Sequence, residues 1–289
     1  MRVMLLGANG QLGATLRHLA PPTATVVPFD RTRLDLRDVE RIEPCVRGCQ
    51  PDVVINAAAY TAVDKAESEP DLAFAINAVA PRALAESAAK VNARLIQLST
   101  DFVFAGDRPV PYVVDDDPRP LSVYGRSKLA GERAVIDTLG ASATVVRTSW
   151  LYAAHGQNFV LTVLRLLESR ESLNIVYDQV GSPTWSGSLA GAIWALCGLT
   201  DVNGMLHWSD NGVASRYDFA VAIQEEALER GLLRRKVPIK AIRTSEYPTP
   251  ATRPPYSVLD NRRIVTALGF GPCHWRDNLR TMLDELATT

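Results

Sequence analysis

Tyr124 and Lys128, in the run YGRSK, set a phenol and an ammonium four positions apart. The stretch that follows, LAGERAVIDTL, lacks proline and repeats its apolar residues at helical spacing, so the pair shares one helix face. A free phenol titrates at about 10 and gives up its proton slowly at neutral pH. A close ammonium stabilises the phenolate and lowers that value, which turns the tyrosine into a proton donor for a carbonyl oxygen. On an exposed face the same spacing is an ordinary surface pair. The chemistry therefore depends on what else the chain brings to this place.

GANGQLG places Gly7, Gly10 and Gly13 between a first apolar run and a first helical pattern. Missing side chains there let a pyrophosphate approach backbone N–H groups at a helix N-terminus, although the Gly-x-x-Gly-x-x-Gly spacing differs from the usual dinucleotide fingerprint. Asp30 ends the second apolar run, where a carboxylate accepts hydrogen bonds from an adenosine ribose and favours NADH; Arg31 and Arg33 just beyond suit the 2′-phosphate of NADPH. Both cofactors stay open. NAAAYTAVDKAESEP sets Asn56 to Thr61 at the carboxyl end of a third run, with Ala57, Ala58 and Ala59 small enough for close backbone approach or tight packing.

LSTDFVF adds Ser99, Thr100 and Asp101 at the same edge. Thr100, Tyr124 and Lys128 then converge at the nicotinamide end: the phenol gives a proton as hydride arrives from the cofactor, Thr100 donates to the same oxygen, and Lys128 holds the nicotinamide ribose. Trp150, in RTSWLY, either stacks on a sugar ring or fills the core. Arg253 lies in YPTPATRPPYS, which reads as a connecting loop or as a substrate clamp.

The elements that must position these residues alternate. RVMLLG, TVVPFD, DVVIN, RLIQLS and ATVVRTS are short β-rich runs separated by helical patterns, one of them the long DLAFAINAVAPRALAESAAKV. Continuous apolar strands alternating with helices imply a Rossmann-type, doubly wound α/β fold with a parallel sheet over residues 1–150. Beyond it, helices at 158–169, 186–198, 215–230 and 276–287 and a short LNIV strand suggest a smaller, mainly C-terminal α/β substrate-binding domain at 151–289. Some of its segments return to the first domain.

Composition narrows the partners. With 31 Lys and Arg against 32 Asp and Glu there is no basic footprint for nucleic acid. Four irregularly spaced cysteines argue for reduced thiols in the cytoplasm rather than a disulfide framework. The N-terminal apolar run ends at Gly7, too short for a signal peptide or a membrane span. His18, His155, His207 and His274 show no metal-binding spacing, so no metal is expected.

Taken in order, GANGQLG, NAAAYTAVDKAESEP, STDFVF, YGRSKLAGE, RTSWLY, DQVGSPT and YPTPATRPPYS make the chain resemble the dTDP-4-dehydrorhamnose reductase family of extended short-chain dehydrogenase/reductases, over nearly its whole length. The resemblance implies an NADPH- or NADH-dependent oxidoreductase that reduces the 4-keto group of a dTDP-6-deoxy-L-hexulose, giving dTDP-L-rhamnose in the usual member. It gives catalytic places to Thr100, Tyr124 and Lys128. It lines the cofactor with Gly7, Gly10, Gln11, Leu12, Gly13, Asp30, Asp35, Leu36, Ala57, Ala58, Ala59, Tyr124 and Lys128, and the substrate with Val63, Thr100, Asp101, Tyr124, Trp150 and Arg253.

Reductases of related dTDP-4-keto-deoxysugars in antibiotic biosynthesis, dihydrostreptose formation among them, resemble the same pattern. So do nucleotide-sugar epimerases and a non-catalytic regulatory subunit of methionine adenosyltransferase; intact Thr100, Tyr124 and Lys128 favour retained chemistry. Dehydratases of this fold carry Asp-Glu after the threonine, where this chain has Phe102. Phe102 also replaces a tyrosine frequent in the reductases, and Ala105 replaces an aspartate. Some members dimerise through magnesium held by glutamates in two helices. The matching stretches here, GATLRHL and WSGSLAGA, carry no acid, so a monomer or weak homodimer without a metal bridge is expected.

Overall fold

The computed structural model describes residues 1–288. Strand β1 (Arg2–Leu6) leads through the glycine loop into α1 (Gln11–His18), followed by β2 (Thr25–Phe29), α2 (Ile42–Cys49) and β3 (Val53–Asn56). Three helices, α3 (Val63–Ala66), α4 (Pro70–Phe74) and α5 (Ala80–Lys90), precede β4 (Arg94–Thr100), α6 (Val123–Leu139) and β5 (Thr144–Thr148). The second half adds β6 (Leu151–Tyr152), α7 (Phe159–Ser169), β7 (Leu173–Val176), β8 (Val180–Gly181), β9 (Thr184–Trp185) and α8 (Ser186–Cys197). It closes with β10 (Gly204–His207), β11 (Ala214–Ser215), α9 (Arg216–Glu229), β12 (Ile239–Ile242), α10 (Arg262–Leu268) and α11 (Trp275–Ala287).

Six strands form one parallel sheet in the order β2-β1-β3-β4-β5-β10. Strand residues alternate between its faces: Val3 and Leu5 pack with Leu16 and Ile193 under α1 and α8, while Met4 and Leu6 pack with Val46 and Leu84 under α2 and α5. Burial on both faces is what makes these runs continuously apolar. The chain leaves β1 for β2 on one side and returns as β3 on the other, and a crevice opens at the carboxyl ends where that reversal occurs. From the second half, β10 pairs with β5, and α8 packs on α1 with Trp194 Nε1 donating to the Leu16 carbonyl at 3.1 Å. A separate core gathers Tyr152, Val160, Phe219, Ile223, Leu279 and Met282. Among the described residues no helix is long and apolar enough to cross a membrane.

The stretch read as one long helix from Asp71 to Val91 is broken. A π-helical turn, Ala75–Val79, separates α4 from α5. Pro81 supplies the reason: it has no N–H to offer the Asn77 carbonyl four residues back, so the helix widens there. The Pro-rich segment stays irregular, yet Tyr256, past the prolines, bridges to Val180, with Ser257 N–H donating to the Val180 carbonyl at 2.9 Å.

Helix α6 starts at Ser122, whose hydroxyl accepts the Gly125 N–H at 3.1 Å. Gly125 and Gly131 lie inside it, and each has backbone where a side chain would be: the Phe102 carbonyl against Gly125, the Asn77 carbonyl against Gly131. One residue beyond Gly131, Glu132 accepts two hydrogen bonds from Arg147 of β5, at 2.8 and 2.7 Å, in full burial. Gly131→Ala drives a methyl into the Asn77 carbonyl and is expected to cost about 1–3 kcal/mol in urea unfolding. Gly48→Ala, in open space on α2, is expected to be neutral or to stabilise by under about 1 kcal/mol; equal effects would show that close approach is not the constraint.

Candidate active site

A cleft of about 1300 Å³ follows the carboxyl ends of the central strands, from the glycine loop past Ala57, Ala58 and Ala59 to Tyr124 and Lys128, and on to Trp150 and Arg253. At its first end Gly7 holds φ +71°, and a Cβ on it would lie 2.7 Å from the Ala58 nitrogen. Gly7 thus makes room for the next strand's loop. Gly10 and Leu12 border the cleft, and no side chain caps α1, so its first N–H groups are left for an anion. Gly13 does not border the cleft. It lies under the loop, where any side chain would strike the Gly7 carbonyl, so its part is helix-on-loop packing rather than ligand contact.

Gln11 borders the cleft but spends its amide on the 155–158 loop, donating to the Gln157 carbonyl and accepting from Asn158. Asp30 and Asp35 also border it. Asp30 accepts from the Thr32 hydroxyl at 2.7 Å, from the Thr32 and Arg33 N–H groups and from Asn9, bonds that hold its carboxyl below the usual range. Asp35 is clasped by Arg37, which holds it far lower still. Arg31 lines the cleft with its side chain 72% exposed, whereas Arg33 lies over the Phe29 ring at 4.1 Å and bonds the Pro28 carbonyl. Of the two arginines expected to meet a 2′-phosphate, only Arg31 is placed for it. Leu36 closes the wall. An uncapped helix start, a glycine turn and an exposed arginine at the rim together fit a dinucleotide.

At the centre, Thr100, Asp101, Tyr124 and Lys128 come together, all buried. Lys128 Nζ donates to the Leu98 carbonyl at 2.7 Å. The Thr100 hydroxyl donates to Asp101 Oδ1 at 3.1 Å and accepts the Phe102 N–H, while Ser257 donates to Asp101 Oδ2 at 2.6 Å. Burial pushes the Tyr124 phenol up to about 12, the Thr100 hydroxyl pulling the other way and Asp101 adding to the rise. Desolvation thus opposes the lowering expected from a neighbouring ammonium, and Lys128 donates to a carbonyl instead. Burial likewise lowers Lys128 to about 8 against the support of Glu132, and raises Asp101 to about 6.

Asn77 escaped the sequence reading. From the π turn its side-chain carbonyl accepts the Tyr60 N–H at 2.9 Å, and its amide donates to the Tyr60 carbonyl and the Ser127 hydroxyl, each at 3.0 Å. It ties the Ala57–Ala59 loop to α6. The only hint in the sequence is a proline four residues later.

On the outer side, Val63, Trp150 and Arg253 border the cleft. Arg253 is not free: it donates to both oxygens of Asp64, at 3.0 and 2.8 Å, and holds that carboxyl below its usual range. Trp150 sits at φ +46°, and Gly181 leaves room for its indole, since a Cβ there would approach the ring to 2.7 Å. Arg216, also unread in the sequence, lies over that indole at 3.5 Å and borders the cleft.

The burial of Lys128 has a thermodynamic signature. With its folded value near 8 and its unfolded value near 10.5, the unfolded chain binds more protons between those limits, so the lysine's cost to folding is complete below pH 8 and fades as pH rises. The stability of Lys128→Met relative to the unsubstituted protein is expected to decline by up to about 3 kcal/mol from pH 7.5 to 10.5 in parallel denaturation curves. A pH-independent difference would mean that the ammonium is solvated.

Comparison with known proteins places this arrangement. A family model described as RmlD substrate binding domain matches residues 1–288. The dTDP-4-dehydrorhamnose reductase of Escherichia coli K12 is 39% identical over 297 residues, covering 100% of this chain and 99% of that protein. That of Mycolicibacterium smegmatis is 42% identical over 286 residues, 96% and 84% of the two chains. The structure of dTDP-4-dehydrorhamnose reductase from Bacillus anthracis in complex with NADP superposes with a TM-score of 0.92 at 38% identity, covering 98% of this chain and 99% of that one.

Proposed function

The chain belongs to the dTDP-4-dehydrorhamnose reductase family, and from that premise we propose that it reduces dTDP-4-dehydro-L-rhamnose to dTDP-L-rhamnose with NADPH, NADH serving as an alternative donor. The observation that carries this reading is the joint burial of Thr100, Tyr124 and Lys128 along a cleft that begins at the glycine loop.

The geometry supports the following roles. When bound, the nicotinamide supplies the hydride that adds to C4 of the sugar. Tyr124, held at about 12, keeps its proton at neutral pH and passes it from Oη to the sugar O4, since the alkoxide developing there is a stronger base than a phenolate. Thr100 donates its hydroxyl to the same oxygen in place of Asp101 Oδ1. Lys128 has three N–H donors and spends one on Leu98, which leaves two for the hydroxyls of the nicotinamide ribose. Gly7, Gly10 and the start of α1 receive the cofactor's diphosphate, and Asp30, Arg31, Asp35 and Leu36 flank its adenosine. Val63, Asp101, Trp150 and Arg253 face the nucleotide-sugar, with further lining such as Phe159, Gln179 and Tyr247 drawn from residues 151–289.

We place the protein in the cytoplasm, in keeping with its four free cysteines, and as a monomer or weak homodimer. Turnover is expected to consume one NADPH per sugar; product formed without net oxidation would point to an epimerase. Tyr124→Phe is expected to lower kcat by roughly 100-fold or more, the scale of lost general-acid catalysis, with NADPH affinity nearly unchanged in a fluorescence titration. Retained turnover in that variant would remove Tyr124 from the reaction.

A further inference from the structure

We propose that Arg216 receives the diphosphate of the nucleotide-sugar, with Arg253 as its partner on the same wall; this rests on the function proposed above and assigns a residue that the sequence reading passed over. Four cations border the cleft, and three are committed. Lys128 is bonded to Leu98, Arg253 is clasped by Asp64, and Arg31 stands at the adenosine end beside Asp35. Arg216 differs. Among the described residues no carboxylate lies within ion-pair distance of its guanidinium, and no side-chain hydrogen bond is made by it.

What surrounds Arg216 is aromatic and charged in a particular way. Its guanidinium lies 3.5 Å above Trp150 and 5.2 Å from Phe159, an arrangement that leaves the N–H donors at its edges free. Asp101 attracts it from the reaction side and Arg253 repels it from the outer side; burial lowers it to about 10, still charged at neutral pH. Arg216 is half-buried, and a partly desolvated cation without a hydrogen-bonded anion costs folding free energy that a ligand anion would recover. The start of α9 cannot serve instead, because Ser215 and Asp218 close it with a capping box.

The layout matches the ligand. Thr100 and Asp101 lie at the reaction end of the cleft, Trp150 borders it further out, and the guanidinium stacked on that indole is where the next group, the diphosphate, would arrive. A planar fork binds two phosphate oxygens at once, which an ammonium cannot. An entering diphosphate also competes with Asp64 for Arg253, so the two arginines close on it together.

The test compares dTDP with thymidine by isothermal titration against the full chain, unsubstituted, as Arg216→Gln and as Arg216→Lys, with NADP+ present. Loss of a charge-assisted bidentate contact is expected to weaken dTDP by roughly 10- to 100-fold in Arg216→Gln and by less in Arg216→Lys, with thymidine and NADP+ affinities unchanged. Equal weakening of dTDP and thymidine, or none of either, overturns the assignment. Should Arg216→Gln fail to fold, Arg216→Lys carries the same comparison. If the unsubstituted chain binds no dTDP, the nucleotide-sugar reading falls; inorganic pyrophosphate then reads Arg216 by itself, tighter binding by the unsubstituted chain than by the variant supporting an anion site and equal binding rejecting it.

Discussion

Helix α6 lies closer to the rest of the fold than side chains permit, and the site depends on that approach. The Phe102 carbonyl occupies the place of a side chain at Gly125, and the Asn77 carbonyl does the same at Gly131. Tyr124 precedes the first glycine and Lys128 stands midway between the two, so their depth in the cleft is set by backbone contact rather than by adaptable packing. Each glycine costs a helix about 1 kcal/mol. The Ser122 cap and the Glu132–Arg147 pair act in the opposite direction. Contact then runs on without a gap: Asn77 grips the Tyr60 backbone, and the neighbouring Ala58 backbone touches Gly7. The two ends of the cleft are fixed relative to each other through main chain.

Burial also decides the charge states. Tyr124, Asp101 and Lys128 are all displaced toward their neutral forms, because desolvation outweighs every hydrogen bond they make. Lys128, at about 8, still carries its charge at neutral pH, supported by Glu132 one turn along the same face. That glutamate is fixed by Arg147, whose guanidinium also approaches His207 Nε2 at 3.4 Å. Burial and that neighbouring guanidinium lower His207 to about 3, so it stays neutral; its Nδ1 faces the Tyr112 carbonyl at 3.1 Å, which assigns the proton to Nδ1 and leaves Nε2 to accept. A line of alternating polar groups thus links the lysine to β10, a strand contributed by the second half of the chain.

The parallel sheet could be read from the sequence because its signal is local and repeated: Val3–Leu6, Val53–Asn56 and Leu95–Leu98 are unbroken buried runs. The convergence of Thr100, Tyr124 and Lys128 was legible because Thr100 ends β4 while Tyr124 and Lys128 share the first turns of α6. Legibility failed where a residue's role depends on a distant partner. Gly13 and Gly7 look alike in GANGQLG, yet one packs beneath a carbonyl and the other meets Ala58. The protonation of Tyr124 could not be foreseen from a spacing of four, which gives proximity but says nothing of solvent. Asn77 looks like any helical asparagine until Pro81 withholds its N–H and the helix opens.

The outer wall was least legible, because it is built from long side chains set by loops. DQVGSPT illustrates how. The Gln179 carbonyl accepts the Arg216 N–H at 3.1 Å, Gly181 clears the space filled by Trp150, and the Ser182 carbonyl accepts the Ser149 hydroxyl at 2.6 Å. One segment therefore positions both the indole and the guanidinium above it. Trp150 is held at a positive φ, a conformation that a bulky residue keeps only when its surroundings over-determine it. Where the first half of the cleft is shaped by missing side chains, this half is shaped by two large ones locked against each other. A ring and an anion are the pair of features such a wall can discriminate.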